Sequence, residues 1–292
     1  MEYWCLPEPE GTGSDSNTIL TMKASIKLFL VAVLLQILGS LAATPLILVW
    51  QFVTTGTVDA ETAGQATLVP ASLLGMFFTV WYLWKQRYLD DFRQYVPTSA
   101  GYLTWTVLLL LGAFIVMEWV MGFLSFLPDW IGDAFDSMQD NWGGILFISL
   151  LGPIVEELVY RGAITRELLR RYRPGVAIVL SAFLFGLAHF NPVQTVFAFV
   201  LGLLLGWMYW RTRSVVPCVV FHVLNNGLAT CLSLRYPDVD SLRALWGPDV
   251  HTAVLCGAAV VFLLALWRLS RYPATGEAGW ISAFRGKDET SV

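Results

Sequence analysis

Charge is what this 292-residue chain has least of. Asp, Glu, Lys and Arg make up only 14% of it, against about 25% in a soluble domain. Hydrophobic residues make up 56%, and mean hydropathy is +0.62. That balance argues against a soluble domain and for a polytopic membrane protein. Cysteine is scarce as well. Cys5, Cys218, Cys231 and Cys256 form no CxxC pair, and no histidine stands at zinc-finger spacing from them, so neither a disulfide framework nor a structural zinc module is indicated. The last three lie in apolar runs and read as packing residues. A net charge of −4 and the lack of a continuous basic patch argue against a nucleic-acid partner. No internal repeat and no low-complexity linker stands out. Histidine occurs only three times.

What the chain does have is apolar runs of membrane-spanning length. A span needs about 20 apolar residues. That rule predicts an all-α bundle of eight helices, near 28–53, 65–84, 102–127, 142–164, 175–191, 193–210, 214–234 and 251–269. Residues 1–22 and 275–292 read as polar tails, the first of them mobile. Between them lie N-terminal helices over 23–135, a core over 136–235 and a last helix within 236–274. Ser40-Leu41-Ala42-Ala43 resembles a signal-peptidase site. The long region before it and the apolar sequence after Pro45 favour a retained first helix. Thr290-Ser291-Val292 carries no prenylation signal. Thirteen Trp and ten Tyr suit a protein with two membrane interfaces.

Orientation follows from the connecting segments. Lys85, Arg87 and Arg93 follow the second run, Arg166, Arg170, Arg171 and Arg173 the fourth, Arg211 and Arg213 the sixth, and Arg268 and Arg271 the eighth. The opposite ends carry Asp59, Glu61, Asp129, Asp133, Asp136, Asp140, Asp238, Asp240 and Asp249. The positive-inside rule then places both termini in the cytoplasm, and a bacterial inner membrane is the expected location.

Ionisable groups inside a span are costly and mark functional sites by default. Leu151 to Tyr172 carries Glu156, Glu157 and Arg161 where hydrocarbon is expected. Glu157 and Arg161 stand at i, i+4, the spacing of a helical ion pair. Glu156 points about 100° away from Glu157, so one carboxylate can be held by Arg161 while the other faces a cavity. His189, His222 and Asn226 occur in two other runs, the last two on one helical face. At about 1.5 Å rise per residue, Glu156, His189 and Asn226 lie roughly 18–21 Å from the basic side, and His222 about 12 Å. A kink is expected at Pro153.

Such a layer can hydrolyse a peptide bond without a covalent intermediate. A carboxylate near an imidazole can take a proton from water and later return it to the leaving amine. A second His and an Asn amide can donate to the oxyanion. Ser181 and Ser214 have no evident His–Asp partners, and a Cys218–His222 dyad on one helix face is the weaker alternative.

At these residues the chain resembles the CPBP (CAAX-processing and bacteriocin-processing, or Abi) family of intramembrane proteases, which includes the type II CAAX prenyl endopeptidases. Glu156-Glu157-Leu158-Val159-Tyr160-Arg161 matches EExxxR, Phe185-Gly186-Leu187-Ala188-His189 matches FxxxH, and His222-Val223-Leu224-Asn225-Asn226 matches HxxxN. Each motif alone is weak, but three in order, each in an apolar run, are strong. The likeness covers about residues 142–232. It implies a bundle with a polar cavity open to the cytoplasm, and a membrane-associated or lipidated protein or peptide as substrate. Glu156 and His189 would activate water. His222 and Asn226 would stabilise the oxyanion. Arg161 would pair with a carboxylate or hold the substrate's C-terminal carboxylate, and Glu157 would support. No cofactor is expected. The alternative is zinc held by Glu156, His189 and His222 with an open position, although no HExxH is present.

The plainer readings are a buried ion pair for Glu157 and Arg161, a satisfied core histidine for His189 and interhelical polar glue for His222 and Asn226. Glu118 is a further intramembrane acid of open role, and Gly202 and Gly206 read as a helix-packing pair. For the whole chain the alternatives are a non-catalytic immunity or scaffold protein, and a proton-coupled transporter. Against the transporter, paired broken helices in two similar halves are lacking.

Overall fold

The computed structural model describes residues 15–95, 98–239 and 241–272, which contain helices and turns and no strand. The two sequence tails read as polar fall mainly outside these residues. In chain order the helices are α1 (Asp15–Thr55), α2 (Ala60–Lys85), α3 (Ala100–Gly122), α4 (Gly132–Gln139), α5 (Trp142–Leu168), α6 (Pro174–Leu187), α7 (Pro192–Thr212), α8 (Val216–Arg235), α9 (Leu242–Trp246) and α10 (Pro248–Arg271). Seven of them are long and apolar enough to cross a membrane. The chain is an all-α polytopic membrane protein.

All eight expected apolar runs are helical. The fifth, α6, has only 14 residues, or about 21 Å, short of a full span. Its brevity has a local cause. Pro174 starts it and Pro192 starts α7. A proline disfavours helical backbone in the residue before it, and Asn191 before Pro192 is extended. Phe190 takes a left-handed φ of 48°, so the chain turns sharply over Ala188–Asn191. Asn191 is only 1% exposed and fixes this corner from outside. Its Oδ1 accepts from the Trp130 backbone N–H at 2.9 Å, and its Nδ2 donates to Asp129 Oδ1 at 2.9 Å. The short helices α4 and α9 were not anticipated. Each lies in a connecting segment, and their eight and five residues carry too little apolar periodicity to read.

Cap chemistry sets several starts. Asp59 precedes α2 and accepts from Thr62 N at 2.8 Å, satisfying one of the free first-turn donors. Hydrogen bonds from the Thr62 side chain and then its backbone N–H hold the exposed Asp59 carboxyl below its usual range. Ser99, Asn141 and Ser241 cap α3, α5 and α9 in the same way.

The basic helix ends meet on one side. Arg166 Nη2 donates to the Tyr88 carbonyl just beyond α2 at 3.1 Å. Val215 N donates to the Gln94 carbonyl at 2.8 Å. Arg211 Nη2 donates to the carbonyls of Ser270 and Tyr272, each at 2.9 Å. The ends of α2, α5, α7 and α10 are therefore tied into one layer, as their common charge anticipates. The core beneath it is built from α3, α5, α6, α7, α8 and α10, with Leu109, Ile164, Phe185, Leu205, Phe221 and Leu269 almost fully buried. Helices α1 and α2 pair with each other and lie against α5.

Candidate active site

Helix α5 is not a regular α-helix. Phe147–Leu151 and Leu158–Thr165 are wide π-type turns, with the α-helical Gly152–Glu157 between them. The first wide turn stands immediately before Pro153, where a kink was expected. Gly152 N donates to Phe147 O, five residues back. Pro153 has no N–H to continue that pattern onto Ile148 O. Asn226 Nδ2 from α8 donates to that carbonyl instead, at 3.2 Å. Side chains and wide turns commonly satisfy the groups a proline releases in a membrane helix. The second wide turn is closed by Thr165, whose hydroxyl donates to the Tyr160 carbonyl at 2.7 Å and lies 2.6 Å from Ser181 Oγ of α6. Ser181 thus has a structural partner on α5.

The two adjacent acids part as their 100° separation predicts. Glu157 is fully buried and Arg161 is 1% exposed. Arg161 Nη1 donates to Glu157 Oε1 at 2.8 Å, and its Nη2 reaches the Gly202 carbonyl of α7 at 3.5 Å. Gly202 also lets α7 come close to α6, because a Cβ there would stand 2.9 Å from Ala182 Cα. The packing role expected of Gly202 is what its surroundings show. Arg161 is committed to Glu157 and sealed from the cavity, so the other role considered for it, holding a substrate carboxylate, has no access route. Glu156 has a side chain 38% exposed.

One partner was not anticipated. His222 Nδ1 lies 2.8 Å from the same Glu157 Oε1. A carboxylate paired with arginine accepts, so Nδ1 carries the proton and Nε2 is turned the other way. His222 Nε2 lies 3.7 Å from Glu156 Oε2. Glu157 therefore sets the tautomer and orientation of His222 and aims its second nitrogen at Glu156. Second partners commonly orient a histidine in this manner.

His189 follows the end of α6 and does not lie within it, a correction to its expected place inside a helix over 175–191. Its Nδ1 lies 2.9 Å from the Phe185 carbonyl. A carbonyl only accepts, so Nδ1 is the donor, which leaves Nε2 for any other partner. His189 and Glu156 line one cavity of about 580 Å³, bordered by α1, α2, α5 and the α6–α7 corner.

Phe185 is the hub that pattern reading left without a role. Its ring meets those of Tyr160, His189 and His222 edge-on, with centroids 4.9, 5.2 and 5.7 Å apart. The Arg161 guanidinium carbon lies 4.5 Å from its centroid. The signal was the Phe of FxxxH itself, an aromatic one turn before the histidine.

The structure thus brings Glu156, Glu157, Arg161, His189 and His222 together from α5, the α6–α7 corner and α8. Asn226 is near but bonds elsewhere. Besides Ile148 O, its Oδ1 accepts from Asn225 Nδ2 at 3.2 Å. Cys218 Sγ is fully buried and directed at the Leu205 carbonyl, 3.3 Å away, which leaves it no approach to a substrate. Among the described residues no group of three or more His, Cys, Asp or Glu side chains that could hold a metal ion is found. Glu118 is remote from the cavity. Its Oε1 accepts from Leu242 N at 2.9 Å, and its Oε2 lies 3.8 Å from His251 Nε2.

Comparison with known proteins points to the same helices. Residues 138–228 match the family model described as type II CAAX prenyl endopeptidase Rce1-like. The membrane-embedded CAAX protease MroQ of Staphylococcus aureus (strain USA300) is 32% identical over 32% of this chain and 40% of its own length. The putative membrane peptidase YdiL of Bacillus subtilis (strain 168) is 24% identical over 31% of this chain and 37% of its own. The chain thus spans about two-fifths of the length of these curated relatives. No solved structure matches it significantly. The matched residues run from the end of α4 through most of α8 and include every motif residue, so the likeness to the type II CAAX prenyl endopeptidase Rce1-like family falls on the helices that carry the site.

Proposed function

We propose that the chain is an intramembrane endopeptidase of the glutamate type, cutting a membrane-associated or lipidated protein close to the bilayer. The observation that carries this reading is the division of labour between two adjacent acids. Glu157 is consumed by Arg161 and His222, while Glu156 is partly exposed on the cavity wall beside His189.

In this mechanism a water sits between the Glu156 carboxylate and His189 Nε2. Glu156 takes its proton as the oxygen attacks the scissile carbonyl. His222 stays anchored through Nδ1 on Glu157 and presents its Nε2 edge beside Glu156, where an N–H would donate to the developing oxyanion. Glu156 then passes its proton to the leaving amine. Asn226 donates one amide N–H to Ile148 O, which leaves its second N–H for the oxyanion role. The shared basic layer supports, through the positive-inside rule, a reading in which both termini and the mouth of the cavity face the cytoplasm across a bacterial inner membrane.

The test compares peptide termini in membranes of cells expressing the parent chain and its Glu156→Gln variant. New termini confined to the parent, with equal amounts of folded protein, identify activity and substrate together. Identical termini in the two membranes remove the reading.

A further inference from the structure

The cavity has a second wall, built outside the segment that matches the protease family. Gln36 of α1 lines it together with Ser40 one turn on and Ser72 of α2, opposite Glu156 and His189. Gln36 is the only amide or charged side chain between Lys27 and Gln51. It stands near the middle of the span Met22–Thr55, as Glu156 does in Trp142–Leu168. A polar group at that depth is costly unless it has a partner. Among the described residues no group hydrogen-bonds to the Gln36 side chain. It is also accommodated by design of its neighbour, since any side chain at Gly75 of α2 would overlap the Gln36 amide. An amide with no hydrogen-bond partner among the described residues thus packs over Gly75 at mid-span, on the wall of the cavity that Glu156 and His189 also line.

We propose that Gln36 and Ser40 form a main-chain-binding wall for an extended peptide segment, holding its backbone against Glu156 and His189. This rests on the endopeptidase reading and adds the conformation of the substrate to it. A helical substrate has no free main-chain groups to offer, because each N–H is already bonded four residues back. An extended segment presents N–H and C=O on each edge. Gln36 and Ser40 are separated by about 6 Å along α1, and groups on one edge of an extended chain repeat every two residues, about 6.6 Å. The Gln36 amide matches one N–H and C=O pair. Ser40 donates its own proton to the Gln36 carbonyl at 3.3 Å, so its oxygen accepts the next N–H. The cavity of about 580 Å³ falls within the range of ligand sites, about 300–1,000 Å³. Main-chain recognition predicts tolerance of sequence and a demand for an unwound segment.

The test uses the full chain in lipid nanodiscs, carrying Glu156→Gln so that binding is read without turnover. The probe is a fluorescein-labelled nine-residue Ala/Leu peptide with a C-terminal dodecyl amide, followed by anisotropy. Gln36→Leu is expected to weaken binding about five- to tenfold, the loss of roughly one hydrogen-bonding group, with no fall in thermal stability. In a scan of ester analogues, each lacking one main-chain N–H, one analogue should bind the parent and the Gln36→Leu chain equally. Equal binding of the all-amide peptide to both chains overturns the proposal, as does failure of the parent to bind it. A stability loss with unchanged binding also overturns it and makes Gln36 a tie between α1 and α2. Absence of cleavage by the Glu156-containing chain, with the Gln36 effect intact, removes the endopeptidase reading alone.

Discussion

Asn226 of α8 supplies the hydrogen bond that Pro153 of α5 cannot make. The acceptor is the Ile148 carbonyl, 3.2 Å from Asn226 Nδ2, in the wide turn before the proline. The bond fastens α8 to α5 just before the two glutamates, so the third motif holds the first in place.

A double-mutant cycle separates this bond from any role in chemistry. Asn226→Ala should lower folding stability by about 1–3 kcal/mol, the cost of leaving a buried carbonyl unmet. Pro153→Ala restores an N–H that can reach Ile148 O, so the same Asn226→Ala change should cost markedly less in that background. Thermal unfolding in detergent reads both. Equal costs in the two backgrounds would show that the proline and the amide are independent.

The Glu157–Arg161 pair should behave as a buried ion pair with a third member. Removing Glu157 alone strands a guanidinium that is 1% exposed and frees His222. About 3–5 kcal/mol should be lost. Replacing both, Glu157→Leu with Arg161→Met, should restore much of that stability, because the charges leave together. Turnover should not return with it, since His222 loses the carboxylate that aims it. Stability and peptide cleavage measured on the same preparations decide this. Recovery of both would reduce Glu157 to an ion-pair partner.

Phe185 should show a larger effect on rate than on folding. Phe185→Leu keeps the site apolar but removes the ring edge shared by His189 and His222 and the face under Arg161. The expected stability loss is about 1–2 kcal/mol. The rate constant for cleavage should fall at least tenfold while KM stays near the parent value, because Gln36 and Ser40 on the facing wall are untouched. A proportional fall in folded protein and activity would make Phe185 simple packing.

Much of this arrangement was legible in the chain. The apolar runs gave the helices, and the i, i+4 spacing of Glu157 and Arg161 gave their pair. The 100° step explained why Glu156 alone reaches the cavity. What stayed hidden depends on two departures from regular helix. The wide turns in α5 shift its register after residue 147, which decides that His222 meets Glu157 and Asn226 meets Ile148. Nothing in apolar periodicity marks such turns, although Pro153 marks where one is useful. The end of α6 before His189 was readable from Asn191-Pro192, but the apolar run continues through it and periodicity prevailed. Gln36 was passed over because an uncharged amide in a long apolar helix raises no alarm until its neighbours are known.

Glu118 tests whether every acid within these helices serves the cavity. Its Oε1 caps the start of the short helix α9 through Leu242 N, and its Oε2 faces the buried His251 of α10. It therefore joins α3 to α9 and α10, on a different part of the bundle from Glu156. Glu118→Gln keeps an oxygen for Leu242 N and should leave both stability and cleavage nearly unchanged. Glu118→Ala removes that acceptor and should cost about 1 kcal/mol, again without altering the cleavage rate per folded molecule. A proton-coupled transporter makes the opposite demand. There the carboxyl itself must titrate, so Glu118→Gln would abolish proton-driven flux in liposomes while leaving the fold intact. Measured in parallel, unchanged cleavage with no flux in either protein would confine Glu118 to structure, and loss of a parental proton flux in Glu118→Gln would overturn that assignment.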